Sequence, residues 1–104
     1  VEASGAGYGM RSPNSNAELF AFVSIPEGMK ATHVHIYAKG TYSIEVFEVQ
    51  IDATTVSSKG SGNCNTNLDI TDVNASATNF LAIMVSITAT TDKVYGGIVT
   101  IAAQ

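Results

Sequence analysis

The chain reads as an all-β protein, a single antiparallel β-sandwich or jelly-roll-like domain preceded by an extended N-terminal arm. Three observations predict it. From Ala17 onward, apolar residues recur at every second position. Clusters of Gly, Ser, Thr, Asn and Asp punctuate those runs at short intervals. No stretch carries the 3.6-residue period of an amphipathic helix. The 104 residues make one domain, long enough for a small real core.

Val1 to Asn16 is rich in Gly, Ser and Asn and contains Pro13, without any period. Residues 1–16 are therefore expected to be a flexible arm or linker, and residues 17–104 the sandwich. The first strand is predicted over Ala17 to Ile25. Leu19, Ala21 and Val23 face one way and Phe20 and Phe22 the other, so burial on both sides is expected. Pro26 and Gly28 turn the chain into a second strand from Ala31 to Lys39, where His33, His35 and Tyr37 alternate with Val34, Ile36 and Ala38.

Gly40 to Tyr42 reads as a turn and Ser43 to Asp52 as the third strand. Ile44 and Val46 share one of its faces with Glu48; Glu45, Phe47 and Val49 share the other. A short strand over Thr54 to Ser58 is followed by Lys59 to Asn67, expected to be the longest and most mobile loop. Leu68 to Asp72 reads as a brief strand. Phe80 to Ala89 is the clearest strand, with Leu81, Ile83 and Val85 on one stripe. After a turn at Thr90 to Asp92, Lys93 to Ala103 forms the last strand, with Tyr95, Val99 and Ile101 expected on one face. Gly96 and Gly97 in its middle signal a bulge or a close backbone approach. The expected core is Leu19, Val23, Val34, Ile36, Phe47, Leu81, Ile83, Val85, Val99 and Ile101.

Composition narrows the function classes. Hydrophobic residues make up 45% of the chain and charged ones only 13%, a pattern of β-sandwiches and of parts that sit in assemblies. The net charge is −4 and the five Lys and Arg are scattered, so no basic patch follows a phosphate backbone and nucleic-acid binding is excluded. The same scatter leaves nothing to hold an anionic membrane surface. The longest apolar run, Phe80 to Val85, has the length of a strand rather than of a membrane span. Cys64 is the single cysteine, so no internal disulfide forms. That suggests intracellular folding or stabilisation by oligomerisation. No His or cationic run lies near Cys64 in sequence, which favours an incidental loop thiol over a reactive one. A start at Val1 without a signal peptide is read as a processed product or a piece of a longer chain.

The best metal candidates are His33 and His35, whose imidazoles project from one face of a strand. A cupin site needs a Glu a few residues on and another His. Lys39 stands near the Glu position, and the chain has only two His. A metal held by these two residues would therefore need several copies meeting on a symmetry axis. An ordinary interface role is favoured, and no metal or other cofactor is assigned. Asp69, Asp72 and Asp92 offer oxygens for calcium but lack the spacing of a calcium loop, so they read as solvated turn residues. Glu45 and Glu48 point to opposite faces and cannot act as a pair. No nucleophile triad or phosphate-binding loop is present, and no enzymatic activity is expected. Tyr8, Tyr37, Tyr42 and Tyr95 are the available sugar platforms, with packing the plainer account. Asn74-Ala75-Ser76 matches a glycosylation acceptor.

The phrases Ile25-Pro-Glu-Gly-Met-Lys-Ala-Thr-His-Val-His-Ile-Tyr-Ala38, Asp69-Ile-Thr-Asp-Val73 and Tyr95-Gly-Gly-Ile-Val-Thr-Ile101 resemble small β modules in virion proteins of marine tailed bacteriophages. The resemblance spans Ala17 to Ala103 and carries no catalytic signature. It implies a structural component exposed on the virion surface: a capsid decoration protein, a head fibre or a tail appendage. Its implied partners are other virion proteins and further copies of itself, with a trimer favoured, and a host surface glycan as an added contact. The competing expectation is a carbohydrate-binding or adhesin module that uses the polar segments 57–67 and 72–79. A small metal-dependent enzyme is a third class, for which the chain supplies no ligand set.

Overall fold

The computed structural model describes residues 2–3, 10–12 and 14–104, with the side chains of residues 2, 3 and 11 left aside. The elements are β1 (Glu2–Ala3), β2 (Met10–Arg11), β3 (Glu18–Val23), β4 (Met29–Ala38), β5 (Ser43–Gln50), β6 (Val56–Asn63), β7 (Asn67–Asn74), β8 (Asn79–Ser86) and β9 (Val94–Ala103). There is no helix among the described residues. The pairing is nested and antiparallel throughout: β5 with β6, β4 with β7, β3 with β8, and β2 with β9. This is one long hairpin rolled on itself, and rolling adds the pairs β5·β8 and β4·β9. The result is two packed sheets of order β1-β2-β9-β4-β7 and β3-β8-β5-β6. An antiparallel β-sandwich with jelly-roll strand order is thus the architecture.

The core lies between the sheets. Leu19 from β3, Ile44 and Val46 from β5, and Leu81, Ile83 and Val85 from β8 meet Ala31, Val34 and Ile36 from β4 and Ile70 and Val73 from β7. The alternation of β4 and β8 produces this directly, since every second side chain enters the same layer. Two expected core residues lie elsewhere. Phe47 sits on the outer face of β5, across from Ala82, while its neighbour Val46 takes the fully buried inward place. Ile101 remains 40% exposed because β9 is a peripheral strand that the second sheet does not fully cover. Phe20 and Phe22, expected to be buried, are likewise open to solvent on the outer face of β3.

The segment Lys59 to Asn67, expected to be a loop, is instead ordered: β6 runs to Asn63 and turns tightly into β7. The sequence hides this strand because its inward positions are glycines. A Cβ on Gly60 would lie 3.1 Å from Ile70 Cγ2, and one on Gly62 would lie 3.0 Å from Leu68 Cδ1. Side chains of β7 occupy the space that β6 leaves, so β6 shows no apolar alternation of its own. The brief strand expected at Leu68 to Asp72 accordingly extends over all of β7.

A bulge between Tyr37 and Ala38 shifts the register of β4 on β9. It turns Val94, rather than Tyr95, toward the core with Val99, which corrects the expected face of Tyr95. Gly97 makes the close approach anticipated for the glycine pair. A Cβ there would stand 2.6 Å from Ile36 Cδ1 and 2.9 Å from the His35 carbonyl oxygen. Most of the expected arm, residues 1, 4–9 and 13, lies outside the described residues. Its described pieces β1 and β2 pair with each other, and Met10 pairs with Val94 of β9.

Two expectations about stability follow. Ile83→Ala removes a side chain that is 2% exposed and should cost about 2–5 kcal/mol in urea unfolding. Gly97→Ala forces a methyl group against backbone and should cost about 1–3 kcal/mol in the same measurement.

Candidate functional site

Three surfaces hold the side chains with chemistry, and each follows from the alternation of a strand. On the outer face of β4, His33 and His35 project away from buried Val34 and Ile36, as the spacing anticipates. His33 Nδ1 lies 2.9 Å from Thr32 Oγ1 and its Nε2 lies 3.8 Å from Asp69 Oδ1 on β7. The His35 ring stacks on Tyr37 with centroids 4.2 Å apart. Neighbouring Lys30 pairs with Asp72 at 2.9 Å. This face is a mixed polar surface. No group of three or more His, Cys, Asp or Glu side chains converges on a metal-sized space among the described residues.

Three aspartates considered together at the sequence level are not brought together. Asp69 and Asp72 lie on β7, against His33 and Lys30. Asp92 lies in the β8–β9 turn, where its Oδ2 accepts hydrogen bonds from the Thr88 and Ala89 amides, each at 3.0 Å. Those amides, Ala89 foremost, hold the Asp92 carboxyl below the usual carboxylate range. Tyr42 packs beneath the same turn. Its hydroxyl accepts from the Lys93 amide at 3.3 Å, and burial pushes the phenol up.

Cys64 stands in the turn between β6 and β7, but its thiol is turned into the core rather than to solvent. It is 1% exposed and belongs to the core cluster. Its amide donates to the Tyr42 carbonyl at 2.8 Å, which draws the β6–β7 turn inward. Asn65 holds that turn with φ of 62°. Its side chain accepts from the Ala38 amide and donates to the Ala38 and Gly40 carbonyls. Asn tolerates this left-handed conformation better than most residues. Burial pushes the Cys64 thiol up, away from the reactive thiolate.

The segments 57–67 and 72–79 do not form one recognition surface. The first is β6 with its turn into β7. The second is the end of β7 with its turn into β8. The two turns stand at opposite ends of β7, separated by roughly 25 Å of strand. Glu48, on the inward side of β5, is tied to Asn79 Nδ2 at 2.7 Å and to Lys59 at 3.5 Å. Glu45, on the outward side, accepts from Ser58 at 2.7 Å. Of the tyrosines, Tyr8 lies outside the described residues, Tyr42 is structural, and Tyr37 and Tyr95 are exposed.

The most distinctive surface is the outer face of β3-β8-β5-β6. Cross-strand register sets Phe22, Ala82 and Phe47 in one row and Phe20, Met84 and Glu45 in the next. Phe80, Val49 and Val56 form a third row. Phe20 and Phe22 lie stacked 6.3 Å apart, and Phe22 meets Phe80 edge-on at 5.9 Å. Small Ala82 leaves a hollow between Phe22 and Phe47, lined by apolar side chains alone. Phe22 is 67% exposed and Val56 is 58% exposed. Two phenylalanines exposed to this degree leave on the order of 200 Å² of aromatic surface in water. With Val56 and Ile51 the patch reaches the size that marks interaction surfaces. The alternation of Phe20, Phe22 and Phe80 with core residues carried this signal in the sequence. Ala82 as the floor of a hollow did not, because an alanine reads the same on either face.

The Asp92 turn gives a pH expectation. A carboxyl whose folded pKa is depressed contributes stability that is fully present above its unfolded value, about 3.9. That contribution is lost as pH falls through the lower folded value. In thermal melts, the stability advantage of the natural protein over Asp92→Asn should be constant at neutral pH and shrink as the pH falls below about 4.

No family model, curated protein or solved structure matches this chain.

Proposed function

We propose that this domain is a non-enzymatic structural component of a bacteriophage virion, exposed on the particle surface and acting through protein–protein assembly. The observation that carries the assembly role is the apolar outer face of β3-β8-β5-β6. A two-layer sandwich buries one face of each sheet. The other face is ordinarily polar, as the β4 face is here with His33, His35, Asp69 and Lys30. Phe20, Phe22, Phe47, Val49 and Val56 break that rule on the second sheet. Burial in an interface returns roughly 25 cal/mol per Å² of this surface. The virion setting rests on the resemblance of the Ile25–Ala38, Asp69–Val73 and Tyr95–Ile101 phrases to tailed-phage modules. The low charge and the absence of a disulfide suit a part stabilised by its neighbours.

Other copies of the chain are the first expected partners, with a trimer favoured, followed by other virion proteins. The carbohydrate-binding alternative has narrower support. Its two polar segments stand apart, and it rests on exposed Tyr37 stacked against His35. A glycan array that lights up with the natural protein and goes dark with Tyr37→Ala would favour it.

Light scattering at micromolar concentration tests the assembly reading. The natural chain should run as an oligomer, and Phe22→Asp, which sets a charge in the centre of the patch, should run as a monomer with an unchanged β-type circular dichroism spectrum. A natural chain that stays monomeric across that range overturns it. His33→Ala together with His35→Ala should leave stability within about 0.5 kcal/mol, since both side chains lie outside the core.

A further inference from the structure

Among the described residues, two places in the sandwich lack a cover. One is the cleft between β3 and β9, lined by Leu19, Ile36 and Ile83 and bordered by Met10. Residues 4–9, which precede Met10, lie outside the described residues. The other is the outer face of β3-β8-β5-β6, whose strands are described throughout. The relief of that face follows from its cross-strand register.

In the row through Ala82, side-chain size alternates from strand to strand: Phe22 on β3, Ala82 on β8, Phe47 on β5 and Ser58 on β6. Strands lie about 4.8 Å apart, so this row is two aromatic ridges and two grooves at equal spacing. The groove over Ala82 runs between Phe22 and Phe47. In the next row Phe80, Val49 and Val56 stand on β8, β5 and β6, while β3 has already ended at Val23. The vacant fourth place is a hollow lined by Phe22, Ser24 and Phe80. In the row on the other flank, Phe20 and Ser61 set large and small at opposite edges, with Met84 and Glu45 between them.

Such a relief fits its own copy in one orientation. A half-turn about an axis parallel to the strands, midway between β8 and β5, lays β3 over β6 and β8 over β5. Phe22 then faces the partner's Ser58, Phe47 the partner's Ala82, and Phe20 the partner's Ser61. Val56 faces the hollow past Val23. A half-turn about an axis across the strands would instead lay Phe22 on Phe22 and Phe47 on Phe47. Two sheets packed face to face stand about 10 Å apart, a spacing at which ridges fill grooves.

We propose that the outer face of β3-β8-β5-β6 pairs with the same face of a second copy across this two-fold axis, with Phe47 of each copy seated over Ala82 of the other. The proposal rests on the assembly reading above and names the contact that this face makes. The face measures about 19 by 27 Å. Pairing it buries about 1,000 Å² over the two copies, the size at which a complementary surface forms a specific interface. Its acids are also kept apart. Glu18 is set over the partner's Asn63. Glu45, whose carboxylate accepts from Ser58 at 2.7 Å, is set over the partner's Met84. Three copies around an axis on this face would leave the ridges without grooves, so a three-fold contact uses another surface.

Sedimentation equilibrium of the full chain between about 1 and 500 µM tests the pairing. The natural chain should pass from monomer to dimer. Ala82→Phe fills the groove and should raise the dissociation constant at least about ten-fold. Phe47→Ala removes the ridge and should raise it as much. The two changes together exchange ridge and groove, and should return the constant to within about three-fold of the natural value. Both positions lie on the outer face, so all three variants should keep the natural β-type circular dichroism spectrum. A dimer indifferent to both single changes overturns the proposal. So does a folded double variant that stays as weak as either single one. A trimer that falls apart on Phe22→Asp also overturns it, while leaving the assembly reading intact. A chain that is monomeric throughout overturns both and leaves the face to a different partner.

Discussion

Gly60 and Gly62 set the spacing between the two sheets where β6 meets β7, and the remaining architecture depends on that contact. Each leaves the room of one side chain, and Ile70 and Leu68 fill it, with Ile70 Cγ2 3.1 Å and Leu68 Cδ1 3.0 Å from where a Cβ would stand. The rolled hairpin is thereby closed along one side. The turn that follows carries Cys64 into the core, and Asn65 locks it to Ala38 and Gly40. Loss of this contact would separate the sheets at their tightest point and expose the thiol.

The same closure explains where the sandwich is open. The inner layer is well filled near β6 and β7, where Ile44, Val46, Ile70 and Val73 are all buried. It thins toward β3 and β9, whose central inward residues are Ala21 and Gly97. Gly97 is held small by Ile36 and the His35 carbonyl, which occupy the position of its missing side chain. The close fit of β9 on β4 thus leaves a shallow wall on the cleft side. Tight packing on one surface of the strand and an open cleft beside it share one cause.

Two kinds of surface then face outward. The β4 face is polar and internally paired, by Lys30 with Asp72 and by His35 on Tyr37. The β3-β8-β5-β6 face is apolar and is organised by Phe22 between Phe20 and Phe80. Electrostatics plays a small part in the fold, as befits a chain with 13% charged residues. Its clearest local contribution is the Asp92 carboxylate, which ties the β8–β9 turn through two amides. Stability rests mainly on the alternating aliphatic residues of the inner layer, and association on the aromatic residues of the outer one.

The sequence alone determined the all-β class and the places of β3, β4, β5, β8 and β9 along the chain. The alternation in β3, β4, β5, β8 and β9 is a local property, set by backbone pleat, and it survives in the linear text. It also placed His33 and His35 opposite Val34 and Ile36, and marked Gly96 and Gly97 as the site of a bulge or a close backbone approach. Tertiary structure decided what alternation cannot express. It made a strand of β6, whose apolar partners are supplied by β7 rather than by its own residues. It buried Cys64 through a turn that closes on Tyr42 and Ala38, far away in sequence. It sent Phe47 outward and Val46 inward, since both faces of β5 are apolar and only the position of the second sheet distinguishes them. It left Ala21 exposed on an inward face, because no facing side chain among the described residues fills the space between β3 and β9.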